Sequence, residues 1–335
     1  MEVFLESMME LRQEVLVFLL FITENHMAKV SIIIPARGEK PENVSRTLKS
    51  IYENATGEFE IIVGFDGKES YQMINCVEYY PNTQYIEFPS LVGIKTNINA
   101  LASMATGKYI YKSDAHCKFG KGFDEILQRD MQPDWIVMPR FYILKGDTWT
   151  RQERDGELEF YDYFYLCCPF TDPRGFRFKA GGHWKERTKE RDPNIVSSAG
   201  NELRRKIDET PQIHGSGWFM ERDHYFRLGG FPNVDPHGHA QEPIWLALKN
   251  WLMGGQVVVN KNTWYAHMHQ QGNKRGYHMD RAQESLSYKI AADHFVGDRG
   301  NYLYSFDWFV DKFMPMPTWP DNWKELLHNW EVVNK

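Results

Sequence analysis

The chain has 335 residues and a net charge of −6, with 42% hydrophobic and 25% charged residues, which excludes a fibrous or disordered chain and a wholly cationic nucleic-acid coat protein. Its 15% aromatic share, with 11 Trp, suits stacking surfaces or a carbohydrate-type pocket. The four cysteines, Cys76, Cys117, Cys167 and Cys168, have no disulfide framework spacing and read as reduced thiols of a cytoplasmic protein. Residues 1–26 read either as a helical extension or as an over-long start ahead of a domain that begins at Met27. Its apolar run "VLVFLLFI" at 15–22 falls well short of the roughly 20 residues needed to span a bilayer, so no membrane partner is expected. From Val30 the pattern alternates. "VSIII" reads as a strand, "PENVSRTLKSIYENA" as a helix with Val44, Leu48, Ile51 and Tyr52 on one face, and "FEIIVGF" as a second strand. "QYIEF" at 84–88 is another strand, "GIKTNINALASMATG" a helix with Ile94, Ile98, Leu101, Ala102 and Ala105 in phase, and "KYIYK" a strand again. Strands separated by helices of this length imply right-handed crossovers in a mostly parallel sheet, an α/β fold that binds ligands at the carboxyl ends of its strands.

Beyond "WIVMP" at 135–139 the period is lost, and 140–210 mixes aromatics, Gly, Pro and charge as loop-rich binding regions do. Order returns with "GSGWFMERDHYFRLGGFP" at 215–232, a helix over 242–255 stopped by Gly254 and Gly255, and the strand "QVVVN". The Trp- and Pro-rich end after residue 308 is expected to wrap the surface and pack through its Trp rings. The chain thus divides into segments at 27–140 and 141–270 and an aromatic C-terminal extension at 271–335, all within one large domain.

One strand end carries unusual chemistry. "YIYKSDAHC" leaves a strand and places Asp114, His116 and Cys117 within four positions. In isolation an Asp-x-His pair is more often a strand cap beside a satisfied histidine than a metal site; its setting decides.

That setting resembles the metal-dependent glycosyltransferases of the GT-A fold over about residues 29–270, and among them the polypeptide N-acetylgalactosaminyltransferases beside the broad family-two enzymes. "SIIIPARGE" followed by "LKSI" looks like the family's first strand and helix, whose loop, here Pro35, Ala36, Arg37 and Glu39, holds the nucleotide base. "FDG" at 65–67 sits where the family usually has two acids; Asp66 keeps one and Phe65 replaces the other. "ATGKYIYKSDAHC" with Gly122–Phe123 after it is similar to the transferases' metal motif. "YAHMHQ" puts His267 where the family has its third metal ligand, with Ala266 in place of Gly and His269 as the fallback. "GSGWFMERDHYFRLGGF" looks like the segment lining the sugar site, through Gly215, Ser216, Gly217 and Trp218. "QEPIWLALKNWLMGG" aligns with the helix whose glutamate, Glu242 here, acts at the reaction centre.

The resemblance implies a transfer from a nucleoside diphosphate sugar, UDP-linked by family habit, to a hydroxyl. Asp114, His116 and His267 would hold a divalent ion that stabilises the departing diphosphate. Carboxylate and imidazole together suit Mn²⁺, with Mg²⁺ as second choice, better than Ca²⁺. Pro243 stands where inverting relatives carry their base, which leans the reading towards retention with Glu242 against sugar or acceptor hydroxyls. Lys95 and Asn97 fall opposite the apolar face of their helix and are placed near the donor. Residues 174–206 carry ten Lys or Arg against four acids, interleaved with Phe176, Phe178 and Trp184, so DNA bearing a hydroxylated base is a candidate acceptor and partner, beside a polypeptide or glycan acceptor. The competing reading of that stretch is a solvated loop with its own ion pairs. "HGH" at 237–239 with Cys167 and Cys168 lacks structural zinc spacing. Two other classes compete: a sugar-nucleotide pyrophosphorylase, for which Arg37 and Lys40 make a poor phosphate loop, and a non-catalytic nucleic-acid or glycan binder.

Overall fold

Val30, Ser31, Ile32, Ile33 and Ile34 are all fully buried, the mark of a strand covered on both faces. In the computed structural model, which describes residues 29–172, 177–192, 206–232, 241–269, 281–297 and 300–334, this run is β1 (Val30–Ala36) at the centre of the sheet. On one side lie β2 (Phe59–Asp66) and β3 (Thr83–Phe88), on the other β4 (Tyr109–Ser113), all parallel to it. A short strand β5 (Cys117–Phe119) follows β4, and β6 (Trp135–Lys145) continues the parallel direction further out. Between β4 and β6 runs the reversed strand β8 (Gly217–Glu221), preceded in the chain by β7 (Ile207–Glu209). β9 (Gln256–His267) pairs parallel with β6 and antiparallel with β5 and β7. The order β7-β9-β6-β8-β4-β1-β2-β3 joins both halves of the chain in one sheet.

The carboxyl ends of β1, β2, β4, β6 and β9 therefore share one edge with the beginning of β8. The chain steps outward from β1 to β2 and β3, then returns to β4 on the other flank, so a crevice opens beyond β1 and β4 where the order reverses.

The helices fix that edge. α1 (Pro41–Asn54) starts on Pro41, whose missing N–H costs nothing in a first turn, and buries Val44, Thr47, Leu48 and Ile51. Thr47 Oγ1 donates to the Ala115 carbonyl at 2.9 Å and accepts from Cys117 N at 3.0 Å, so α1 pins the loop after β4. α2 (Ile94–Met104) packs on β1 and β2, and α3 (Phe123–Asp130) carries the buried Asp124, which accepts from Thr56 N and Gly57 N. α4 (Glu242–Leu252) is buried along nearly all its length.

Asn97 is a correction. It does not point towards a ligand; it is 1% exposed, and its Nδ2 donates to the Gly64 carbonyl at 2.9 Å because α2 has no solvent face at that turn. A Cβ on Gly64 would stand 1.9 Å from Asn97 Oδ1. Gly64→Ala should lower stability by about 1–3 kcal/mol through this overpacking, read as a lower urea midpoint with an unchanged slope.

Strands β6 and β9 run further than the sequence pattern indicated, to Lys145 and His267, and β9 does so across an irregularity between Asn260 and Trp264. Phe306, Phe309, Phe313, Trp319 and Trp323 of the C-terminal segment are buried, and Trp319 Nε1 donates to the Leu166 carbonyl at 2.7 Å. All four cysteines are free thiols. Among the described residues no helix is long and apolar enough to cross a membrane. The apolar run at 15–22, the helical extension at 1–26 and "HGH" at 237–239 lie outside the described residues.

Candidate functional site

At the end of β4 the backbone turns on Asp114, whose N–H donates to the Ser216 carbonyl at 2.9 Å and so ties the turn to the start of β8. Asp114 Oδ2 lies 3.2 Å from His267 Nε2 at the end of β9. His116 stands beside them, its ring centre 4.7 Å from that of His267. Asp114, His116 and His267 each present a ligand atom within 4.8 Å of the others. The main chain holds this spacing: His267 is paired opposite Cys117, and Met268 N donates to the His116 carbonyl at 3.2 Å.

The surroundings fit a cation. His116 Nδ1 lies 3.2 Å from Glu39 Oε1, a carboxylate behind an imidazole of the kind that fixes a ligand's tautomer. Glu39, expected at the nucleotide base, is 8% exposed and serves His116. His267 Nδ1 is buried without a hydrogen-bond partner among the described residues. Burial alone would raise the Asp114 carboxyl, yet the Lys112 ammonium, with the hydrogen bond to His267, holds it well below the usual carboxylate range. The donor set of one carboxylate and two imidazoles therefore suits Mn²⁺ or a similar divalent ion.

Lys112 was not anticipated. It is fully buried, and its Nζ donates to Asp114 Oδ1 and, at 2.6 Å, to the Gly215 carbonyl, joining the two loops of the site. A lysine inside a strand buried on both faces needs a buried anion, and that is the signal in "YIYKSD".

Across from this group, Gly215 and Gly217 are required to be small. A Cβ on Gly215 would lie 2.8 Å from Glu242 Oε1, and one on Gly217 would lie 2.7 Å from the Tyr265 ring. Glu242, the first residue of α4, is 6% exposed, and its Oε2 has no hydrogen-bond partner among the described residues. Ser216 Oγ sits 2.6 Å from His214 Nδ1 and 3.1 Å from Tyr265 Oη. Trp218, expected in the sugar lining, belongs to the core: it is fully buried with its ring stacked on Tyr225.

The remaining expected residues are placed as follows. Pro35 and Ala36 form the end of β1, and Arg37 follows it in the bend that leads to Glu39. Asp66 is buried at the end of β2, its oxygens accepting from Val92 N at 2.7 Å and Gly93 N at 3.1 Å, and so shapes the turn into α2. Lys95 is 1% exposed with Nζ 5.9 Å from the centre of the Trp245 ring on α4. In the basic stretch, residues 173–176 and 193–205 lie outside the described residues. Among the rest, Phe178 and Trp184 are buried, Arg191 pairs with Asp208 at 2.6 Å, Lys179 lies 3.5 Å from Glu284, and Arg187 covers the Tyr163 and Trp184 rings. The two aromatic side chains are thus core and not a stacking surface.

Several imidazoles here are held neutral. Burial lowers His183 to about 4 and His267 to about 3, and lowers His214 well below the ordinary value of 6.5. The unfolded chain takes up protons below pH 6.5 where these folded groups do not, so the stability they carry is present above that pH and lost as pH falls towards 4. His116, raised by Glu39 despite its burial, opposes this, and three groups against one set the sign. The melting temperature in metal-free buffer should fall between pH 6.5 and 4.

Comparison with known proteins agrees with this geometry. Residues 31–194 match the family described as Glycosyl transferase family 2. A Drosophila melanogaster protein named "Putative polypeptide N-acetylgalactosaminyltransferase 13" is 22% identical over 302 residues, covering 83% of this chain and 50% of its own. A crystal structure of GalNAc-T7 with UDP, GalNAc and Mn²⁺ superposes with a TM-score of 0.59 at 16% identity, over 92% of this chain and 55% of that one. S. aureus TarS 1-349 in complex with UDP-GlcNAc gives 0.53 at 10% identity, over 84% of this chain and 69% of that one. The chain spans about half the length of the curated relative it matches. The fold is GT-A, a mixed α/β domain around a mostly parallel sheet.

Proposed function

We propose that the protein is a metal-dependent glycosyltransferase that moves a sugar from a nucleoside diphosphate sugar, UDP-linked in the first instance, to a hydroxyl acceptor. The observation that carries this is the Asp114, His116 and His267 group at the carboxyl edge of the sheet, backed by Glu39 and facing Glu242 across Gly215. Mn²⁺, when bound, supplies Lewis-acid stabilisation of the departing diphosphate. The mention of UDP and Mn²⁺ in the GalNAc-T7 complex, and of UDP-GlcNAc in the TarS complex, is in keeping with this donor class.

The chain's own residues supply the rest. Lys112 keeps Asp114 ionised and in place, Glu39 orients the His116 ring, and the two glycines at 215 and 217 let the backbone approach a sugar. Pro35, Ala36 and Arg37 border the crevice where the nucleotide lies, with Asp66 shaping its far wall through the turn into α2. Glu242 is the only carboxylate at the start of α4, and Pro243 follows it, so a base immediately after the glutamate is absent. Glu242 then contacts the sugar or acceptor hydroxyl, and the reaction retains configuration. The DNA acceptor rests on Arg174, Arg204 and Arg205; the described part of the basic stretch lends it little.

The test is thermal stabilisation across UDP, CDP, GDP and dTDP sugars, each with and without Mn²⁺. A donor at a hundred times its dissociation constant should stabilise by about 2.7 kcal/mol, and only when metal is present. No shift with any donor would overturn the reading in favour of a binding protein, and nucleotide exchange with pyrophosphate would favour a nucleotidyltransferase.

A further inference from the structure

His267 has a second set of neighbours. His214, His267 and His269 each bring one ligand nitrogen within 4.8 Å of the others. Their ring centres are 5.4, 5.5 and 4.9 Å apart. Three imidazoles on one tetrahedral ion, with nitrogens at 2.0–2.1 Å, have ring centres about 5 Å apart. Phe141 lies under all three, with its ring centre 4.7 Å from His214, 5.7 Å from His269 and 6.2 Å from His267.

This set contains no carboxylate, and it has the features of a ligand shell. His214 is held from behind: its Nδ1 lies 2.6 Å from Ser216 Oγ and accepts from Ser216 N at 3.3 Å, and that hydroxyl lies 3.1 Å from Tyr265 Oη. His269 is exposed, which gives an ion an entry path and a place for water as fourth ligand.

We propose that His214, His267 and His269 form a second cation site that takes a borderline divalent ion of the Zn²⁺ class and shares His267 with the Asp114 and His116 group. Imidazole donors alone favour Zn²⁺ over Mn²⁺, and a carboxylate shifts the preference the other way. One imidazole serves one ion at a time, so Zn²⁺ in the histidine site competes with Mn²⁺ in the other. Zn²⁺ is then an antagonist of the transferase; this consequence rests on the metal reading above, whereas the histidine site does not.

Cobalt distinguishes the two sites, because four-coordinate Co²⁺ absorbs visible light far more strongly than six-coordinate Co²⁺. The full-length protein, and its His214→Gln, His269→Gln and Asp114→Asn variants, would be titrated with Co²⁺ and then with Zn²⁺, with circular dichroism as the folding control. The expected result is an intense band bleached by Zn²⁺ in the wild type and in Asp114→Asn, with apparent Zn²⁺ affinity lowered about 100-fold or more in His214→Gln and His269→Gln. A band lost in Asp114→Asn but kept in both folded histidine variants, or no band in the wild type, overturns the proposal. Mn²⁺ binding followed by electron paramagnetic resonance in the same variants separates the two claims. If Asp114→Asn binds Mn²⁺ like the wild type, the transferase metal reading fails while the histidine site stands.

Discussion

Asp114→Asn should lower metal-dependent turnover of donor by about 10³-fold or more, the equivalent of several kcal/mol of lost charge stabilisation in the transition state. The variant keeps the volume of the side chain and an oxygen for Lys112, so the effect isolates the charge. Asp114→Ala should act differently, because it leaves the Lys112 ammonium fully buried with only the Gly215 carbonyl as partner. Removing one member of a buried ion pair costs about 3–5 kcal/mol, and the low end applies here because the Asp114 side chain is a quarter exposed. At about 2–4 °C per kcal/mol for a domain of this size, the melting temperature should fall by about 6–12 °C. The double variant Lys112→Met/Asp114→Ala should regain most of that stability and none of the turnover. If it regains neither, Lys112 is not the partner that makes Asp114 structurally necessary.

Glu242→Gln should reduce turnover by about 10²-fold or more, the usual contribution of a positioned carboxylate in proton transfer or substrate contact, while the melting temperature stays within about 2 °C. A glutamate at the first position of a helix has an ordinary structural use, since the macrodipole favours an anion there. That use predicts the opposite pattern, with lower stability and normal turnover. The buried Oε2 of Glu242, without a partner among the described residues and beside Gly215, favours the functional pattern. Steady-state kinetics beside a thermal melt decides between them. Gly215→Ala is the steric counterpart: its Cβ would press on Glu242 Oε1 and should affect turnover in the same direction.

The parallel core was legible because β1, β2 and β4 are buried on both faces and read as continuous apolar runs. Asp114, His116 and His267 were legible because their spacing and order survive in the chain. What escaped the pattern is where charge is buried in pairs. β6 runs six residues past "WIVMP" because Arg140 is neutralised by Asp162, with bonds of 2.9 and 2.8 Å, and by Asp192 at 3.5 Å. In a linear pattern that arginine ends a strand; in the fold it is interior. β9 likewise continues through "NKNT", a sequence with turn chemistry, by way of its irregularity, with Asn260 satisfied by Asp130 at 3.0 Å. Lys95 and Asn97 were assigned to an outward face because helical periodicity separates two faces but does not tell that both are covered. The histidine cluster has no spacing signal at all, since His214 and His269 meet only through the pairing of β8, β6 and β9.

The backbone bond from Met268 to the His116 carbonyl has a consequence for how the site moves. Two of the proposed metal ligands, His116 and His267, are joined by the same ladder that holds the sheet together, and the third, Asp114, is anchored by its own amide to the Ser216 carbonyl. The amides of Met268 and Asp114 should therefore exchange with deuterium slowly, at the rate at which the sheet itself opens, and binding of Mn²⁺ should add little to their protection. The ion arrives at a cradle that is already rigid, and its retention is set by the chemistry of the ligands and not by the ordering of a loop.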